Sequence, residues 1–280
     1  MYNKFLIVAS KKDPAGVNIT TQLSQFRKNP VIPDAKKDGK EFDFYLVEEE
    51  IIYTENLNME KIGKYDFVIF ASKHSSSGEE KRKSLTIHSP GNFRNAQFGG
   101  EKGKVCKTSA MFHKQLFEKL NETAKKHDLR NYDITLEVTH HGPLIDKPCL
   151  FIEIGPTETE WKNRRVGFIM AETIYETIFG FKENPYNEVA IAIGGPHYCP
   201  NFNKIQENSN LAISHIIPQY NFPLTEEMVK EAVEKTEEEI DLAVLDWKGL
   251  GNSEQRNEIL KILDRLYIRY EKTSDVGKSN

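Results

Sequence analysis

The feature that most constrains this chain is a recurring unit: a short apolar run, a turn rich in Gly, Pro or His, then a stretch with helical spacing. Runs at 5–9, 42–47, 66–71, 134–138, 150–154, 189–193 and 212–217 have strand length and are largely apolar, as strands buried on both faces require. Between them, Ile19, Leu23 and Phe26 recur at helical spacing. Phe112, Leu116, Leu120 and Ala124 do the same behind Ser109, a capping residue. Strands alternating with helices predict an α/β fold, with a mostly parallel, mixed sheet flanked by helices. No repeat or linker divides the 280 residues, so 1–280 reads as one domain with a smaller inserted or appended region.

The remaining helices are expected at 159–179, closed by Gly180, and behind Thr225, with Val229, Val233, Thr236, Ile240 and Ala243 inward. A last helix carries Ile259, Leu263, Leu266 and Tyr270, and 271–280 reads as a frayed end. Residues 73–107 have no sustained period and are rich in Ser, Gly, Lys and His, which predicts a long loop region. The net charge of −4 hides an asymmetry. Residues 226–241 carry eight acidic and two basic side chains, whereas 73–107 carry eight basic and three acidic ones. That basic stretch is either a solvated loop or a surface for a phosphate backbone.

No apolar run reaches the ~18–20 residues of a membrane span. The N-terminal apolar stretch runs into Lys11, Lys12 and Asp13, the mark of a strand rather than a signal peptide. Three scattered cysteines (Cys106, Cys149, Cys199) without a CxxC pair imply free thiols in a reducing compartment, hence a cytoplasmic protein. There is no GxSxG elbow, which disfavours a serine esterase, and no GxxxxGK[ST] or GxGxxG to support nucleotide-dependent chemistry.

In open α/β sheets, ligands bind beyond the carboxyl ends of the strands. Polar residues collect there: Lys73 and His74 after one run, His140 and His141 after another, Glu158 and Glu160 after a third, His197 after a fourth. His88 and His215 also lie beside Gly, Pro or strand ends, whereas His113 and His127 fall in a helix and read as surface residues. Several histidines with carboxylates fit two chemistries, a metal site with an open position for water or general-base catalysis by a metal-free imidazole. No HExxH spacing decides between them. Gly194 and Gly195 precede His197, either as a tight turn or as a place where backbone N–H groups meet a phosphate or oxyanion.

The segments SKHSSSG (72–78), LTIHSPGN (85–92), EVTHHGPL (137–144), FIEIGPTETEW (151–161), AIGGPHY (192–198) and SHIIPQY (214–220) resemble, in order, the archaeal and plant type of D-aminoacyl-tRNA deacylase. The resemblance implies a phosphorylase/hydrolase-like core, zinc dependence, a monomer, and hydrolysis of the ester between a D-amino acid and the 3′ end of tRNA. On that basis His88, His140, His141 and His197 are expected to be catalytic. His74, Lys73, Gly194 and Gly195 are expected to bind substrate, and His88, His215 and Glu153 to hold the metal. Two rival readings are a zinc-dependent amidohydrolase or peptidase on the same core and a non-catalytic tRNA-binding protein using 73–107. A nucleoside-phosphorylase-like enzyme, with phosphate in the Gly194–Gly195 turn, is a third.

Overall fold

The computed structural model describes residues 2–26, 39–55, 57, 59–75 and 82–277. The chain begins β1 (Lys4–Ser10), α1 (Pro14–Phe26), β2 (Glu41–Val47), α2 (Met59–Ile62) and β3 (Phe67–Lys73). There follow β4 (Ser84–His88), β5 (Gly91–Asn92), β6 (Lys104–Val105), α3 (Ala110–Lys126), β7 (Asp133–Leu136) and β8 (Cys149–Gly155). The second half holds α4 (Glu158–Trp161), α5 (Arg164–Gly180), β9 (Glu188–Ile193), α6 (Pro200–Asn208) and β10 (Leu211–Ile217). It ends with α7 (Glu226–Glu234), β11 (Leu242–Leu245), α8 (Ser253–Arg265) and β12 (Tyr270–Lys272).

Six strands form the main sheet in the order β2-β1-β3-β8-β4-β7, parallel throughout except where β4 runs antiparallel to β8. The mixed α/β architecture is therefore the one the strand-helix alternation predicts. The continuous apolar runs bury both faces. Phe5, Ile7 and Ala9 of β1 join Ile19 and Leu23 of α1 in one core, while Leu6 and Val8 join Ile51, Ile62 and Phe70 in another. A second, four-stranded parallel sheet, β10-β9-β11-β12, is built from residues 188–272. Its outer core sets Ile191, Ile193, Ala243 and Leu245 against Val229 of α7 and Leu263 of α8. The sheets meet where Val138 N–H donates to His197 O (3.0 Å) and Thr139 N–H to Ile216 O (3.0 Å).

Several expectations need correction. The supposed loop 73–107 contains β4, a buried internal strand. The expected helix 159–179 is two helices, because the Asn163 side chain accepts from Arg165 and Val166 N–H and starts α5 afresh. Thr225 does cap α7, accepting from Met228 N–H, but the helix stops at Glu234, and Ala243 lies in β11 instead. Tyr270 and the first residues of the supposed frayed end form β12, and α6 was not expected. The helix stop at Asn29–Pro30 lies outside the described residues. Of the basic stretch, Lys83, Lys104 and Lys107 pair with Glu160, Glu231 and Asp146 at 3.2–3.3 Å. Lys81 lies outside the described residues.

Candidate active site

The site is assembled from both sheets, starting with a helix cap. Asp13 Oδ1 accepts from Ala15 and Gly16 N–H at the start of α1, while Oδ2 accepts from Ser72 Oγ (3.0 Å) and Lys73 N–H (2.8 Å) at the end of β3. One carboxylate thus fixes the strand end that delivers His74. His88 ends β4, Glu153 lies in β8, Glu137 and the His140–His141 pair follow β7, and His197 follows β9.

At the centre is Glu137, fully buried. Its Oε1 lies 2.9 Å from His74 Nδ1 and 3.3 Å from His197 Nε2, and its Oε2 lies 4.0 Å from His88 Nε2. Burying an unpaired carboxylate costs several kcal/mol, so ringing it with imidazoles is what makes the position tenable. Burial raises the Glu137 pKa, but His197 and His74 outweigh it and hold the carboxyl well below the usual range. Burial lowers that of His74, yet Glu137 and Glu153 push it up to about 12, which makes it an imidazolium at neutral pH. Glu153, 3.7 Å from His74 and 3.9 Å from His88, is raised to about 7, first by burial.

The other imidazoles have the opposite character. Burial, then neighbouring histidines, pushes His88 and His140 well below the usual range, and burial takes His141 to about 4. All three are neutral at pH 7. In each, Nδ1 faces a backbone carbonyl: Ser89 O at 3.3 Å, Val138 O at 2.8 Å and Gly142 O at 2.6 Å. With Nδ1 donating, Nε2 keeps its lone pair. His88 Nε2 is buried without a hydrogen-bond partner. One nitrogen from each of the three lies within 4.8 Å of the others, a spacing that could hold a metal ion. Overlapping groups are Glu137–His140–His197 and His74–Glu137–Glu153. His140, His141 and His197 line a cavity of about 290 Å³ that is also walled by Phe93, Phe98 and Tyr220.

The structure thus brings His74, His88, His140, His141, His197 and Glu153 together. It does not unite the expected ligands His88, His215 and Glu153. His215 is buried elsewhere, with Nδ1 3.1 Å from Thr139 Oγ1, and belongs to none of the ligand groups among the described residues. Lys73 Nζ pairs with Glu50 (3.4 Å). Gly194 N–H donates to Ile217 O, and Gly195 abuts Gly249, where a Cβ on Gly249 would come 2.4 Å from Gly195 N. That turn is a close backbone crossing. His113, expected at the surface, is fully buried with Nδ1 3.1 Å from Ile213 O, and His127 pairs with Glu172 at 2.6 Å. Glu137 and Tyr198, whose hydroxyl lies 2.9 Å from His74 Nε2, were not singled out from sequence. The signal for Glu137 was a lone acid in a strand-like run three residues before His140.

The family model for D-aminoacyl-tRNA deacylase matches residues 62–271, a span that contains every residue of this cluster. The chain belongs to the D-aminoacyl-tRNA deacylase family. It is 38% identical over 277 residues to a D-aminoacyl-tRNA deacylase of Thermococcus onnurineus, covering 95% of this chain and 98% of that one. It is 31% identical to the D-aminoacyl-tRNA deacylase of Methanocaldococcus jannaschii, covering 91% and 94%. The crystal structure of AF0625, described as a conserved protein of unknown function, superposes with a TM-score of 0.85 at 31% identity, covering 99% of this chain and 98% of that one. The fold is thus shared with that structure over nearly the whole chain, including both sheets that contribute histidines.

Proposed function

We propose that this chain hydrolyses the ester of D-aminoacyl-tRNA to free D-amino acid and tRNA, removing mischarged D-amino acids before translation. Family membership supports the reaction class. The observation that carries the reading is the Glu137–His197 pair at the cavity wall. With its Nε2 3.3 Å from the Glu137 carboxylate, His197 presents Nδ1, 3.5 Å from the Tyr220 hydroxyl, as a proton acceptor. His197 takes a proton from water as its oxygen adds to the ester carbonyl. It returns that proton to the ribose oxygen when the tetrahedral intermediate collapses. Glu137 orients the ring and offsets the charge that the imidazolium gains. Chiral selection rests on the shape of the cavity, where a D side chain fits and an L side chain clashes or displaces the carbonyl.

The resemblance implies zinc, and three neutral imidazoles, one of them His88 with a buried, unpartnered Nε2, fit it. His88, His140 and His141 would hold the ion, which when bound supplies Lewis acidity and makes coordinated water more acidic. His197 and Glu137 then remain for proton transfer, and Glu153 and His74 shield the buried charges.

Both sheets contribute histidines to the site, which supports reading the whole chain as one deacylase domain. Among the described residues no helix is long and apolar enough to cross a membrane. With a tRNA substrate, a monomeric protein of the cytoplasm is the corresponding reading. Parallel assays on D-tyrosyl-tRNA and D-tyrosinamide test the reaction class. Ester cleavage without amide cleavage supports the deacylase, and the reverse supports the amidohydrolase. Retention of tRNA without cleavage of either would leave a binding protein.

A further inference from the structure

A second cavity, about 520 Å³, is lined by Tyr198, the residue next to His197 of the catalytic cavity of about 290 Å³. His197 lines the smaller and Tyr198 the larger, with the two rings 5.2 Å apart and at 82°. Tyr198 is held from three sides. Its hydroxyl meets His74 Nε2, and its carbonyl accepts from Thr135 Oγ1 (2.6 Å) and Asn203 Nδ2 (3.0 Å). The residue nevertheless remains 40% exposed. A rigid, exposed aromatic face is a stacking platform of the kind that binds a nucleic-acid base. The same cavity is lined by Arg82, by Asp133, and by Ser84, whose buried hydroxyl has no hydrogen-bond partner. A cation, a carboxylate and an unpaired hydroxyl match a phosphate and sugar or base hydroxyl and amine groups.

We infer that the two cavities divide the substrate, with the aminoacyl group in the smaller one and the terminal nucleotide of the RNA in the larger, stacked on Tyr198 with its phosphate toward Arg82. This rests on the deacylase reading and specifies how it is recognised. The smaller cavity suits the aminoacyl group, being less roomy and walled by Phe93, Phe98 and Tyr220. The ester joining the two halves then falls beside His197, where the proposed base stands.

Adenosine 5′-monophosphate is the probe. It is expected to inhibit D-tyrosyl-tRNA hydrolysis competitively. Tyr198→Ala is expected to raise both its Ki and the KM for D-tyrosyl-tRNA by at least about five-fold, the scale of one lost base stack. Tyr198→Phe, which keeps the ring and removes only the bond to His74, is expected to retain nucleotide affinity. Arg82→Ala is expected to weaken the monophosphate more than adenosine. Phe98→Ala is expected to shift relative rates on D-tyrosyl- and D-alanyl-tRNA without moving the nucleotide Ki. A Ki unmoved by Tyr198→Ala but raised by Phe98→Ala overturns the assignment and places the nucleotide in the smaller cavity. Failure of the deacylase reading shows separately, as wild-type protein that cleaves no D-aminoacyl ester. Equilibrium dialysis of the nucleotide still reads the cavity directly in that case, and no difference between wild type and Tyr198→Ala overturns the inference.

Discussion

Glu137 Oε1 lies 3.3 Å from His197 Nε2, and this contact joins the end of the main sheet to the loop after β9. Glu137→Gln keeps the volume and removes the charge. The expected result is a fall in kcat of about 10²–10⁴-fold with a much smaller change in KM, since the carboxylate acts through His197. Steady-state deacylation measures it, with circular dichroism confirming the fold.

The ligand assignment separates residues that sequence alone had grouped. His88→Ala, His140→Ala and His141→Ala are each expected to lower bound zinc to well below one per chain, measured by inductively coupled plasma mass spectrometry. His215→Asn is expected to retain it, because His215 is bonded to Thr139 and apart from the cluster. Zinc lost from Glu137→Gln but kept by His88→Ala would transfer the site to Glu137, His140 and His197.

Acid should destabilise the fold through histidines outside the site. Burial lowers His113 to about 4 and His215 to about 3, below the ~6.5 of an unfolded chain. The unfolded state therefore binds protons that the folded state refuses. Stability is full above about pH 6.5 and falls as pH drops through 4 toward 3. Melting temperatures across that range should decline, and His113→Gln should have a shallower acid slope. Equal slopes would remove His113 from the account.

Much of the fold was legible because β1, β3 and β9 are largely continuous apolar runs and β8 is broken only by Glu153, close to the pattern a strand buried on both faces must have. β4 was hidden because Ser84, Thr86 and His88 interrupt its pattern. These positions are buried, and Thr86 lies opposite Glu153 in the ladder. Where a strand turns polar side chains toward a site, the hydrophobic signal weakens at the place where function is built. The same exchange hid Glu137. Beyond Glu234 a helical spacing continued by coincidence, while Glu238 accepts from Ala110 and Met111 N–H at the start of α3, a long-range contact no local pattern contains. Histidines at strand ends were legible as a group, but their division into neutral donors, an imidazolium and a remote core residue depends on which carboxylate or carbonyl each one meets.

The Gly194–Gly195 turn gives a stability prediction. Gly249→Ala would place a methyl 2.4 Å from Gly195 N, so the backbones must separate. A loss of about 1–3 kcal/mol is expected, read as a lower urea midpoint with an unchanged slope. A neutral substitution would show that the crossing has slack.

The most direct test of the central claim compares hydrolysis of D-tyrosyl-tRNA and L-tyrosyl-tRNA by zinc-supplied protein, wild type beside His197→Ala. Fast cleavage of the D ester, little of the L ester, and a large loss of the D-specific rate in the variant are expected. Equal cleavage of both esters, or a folded wild type that leaves both intact, would contradict the claim.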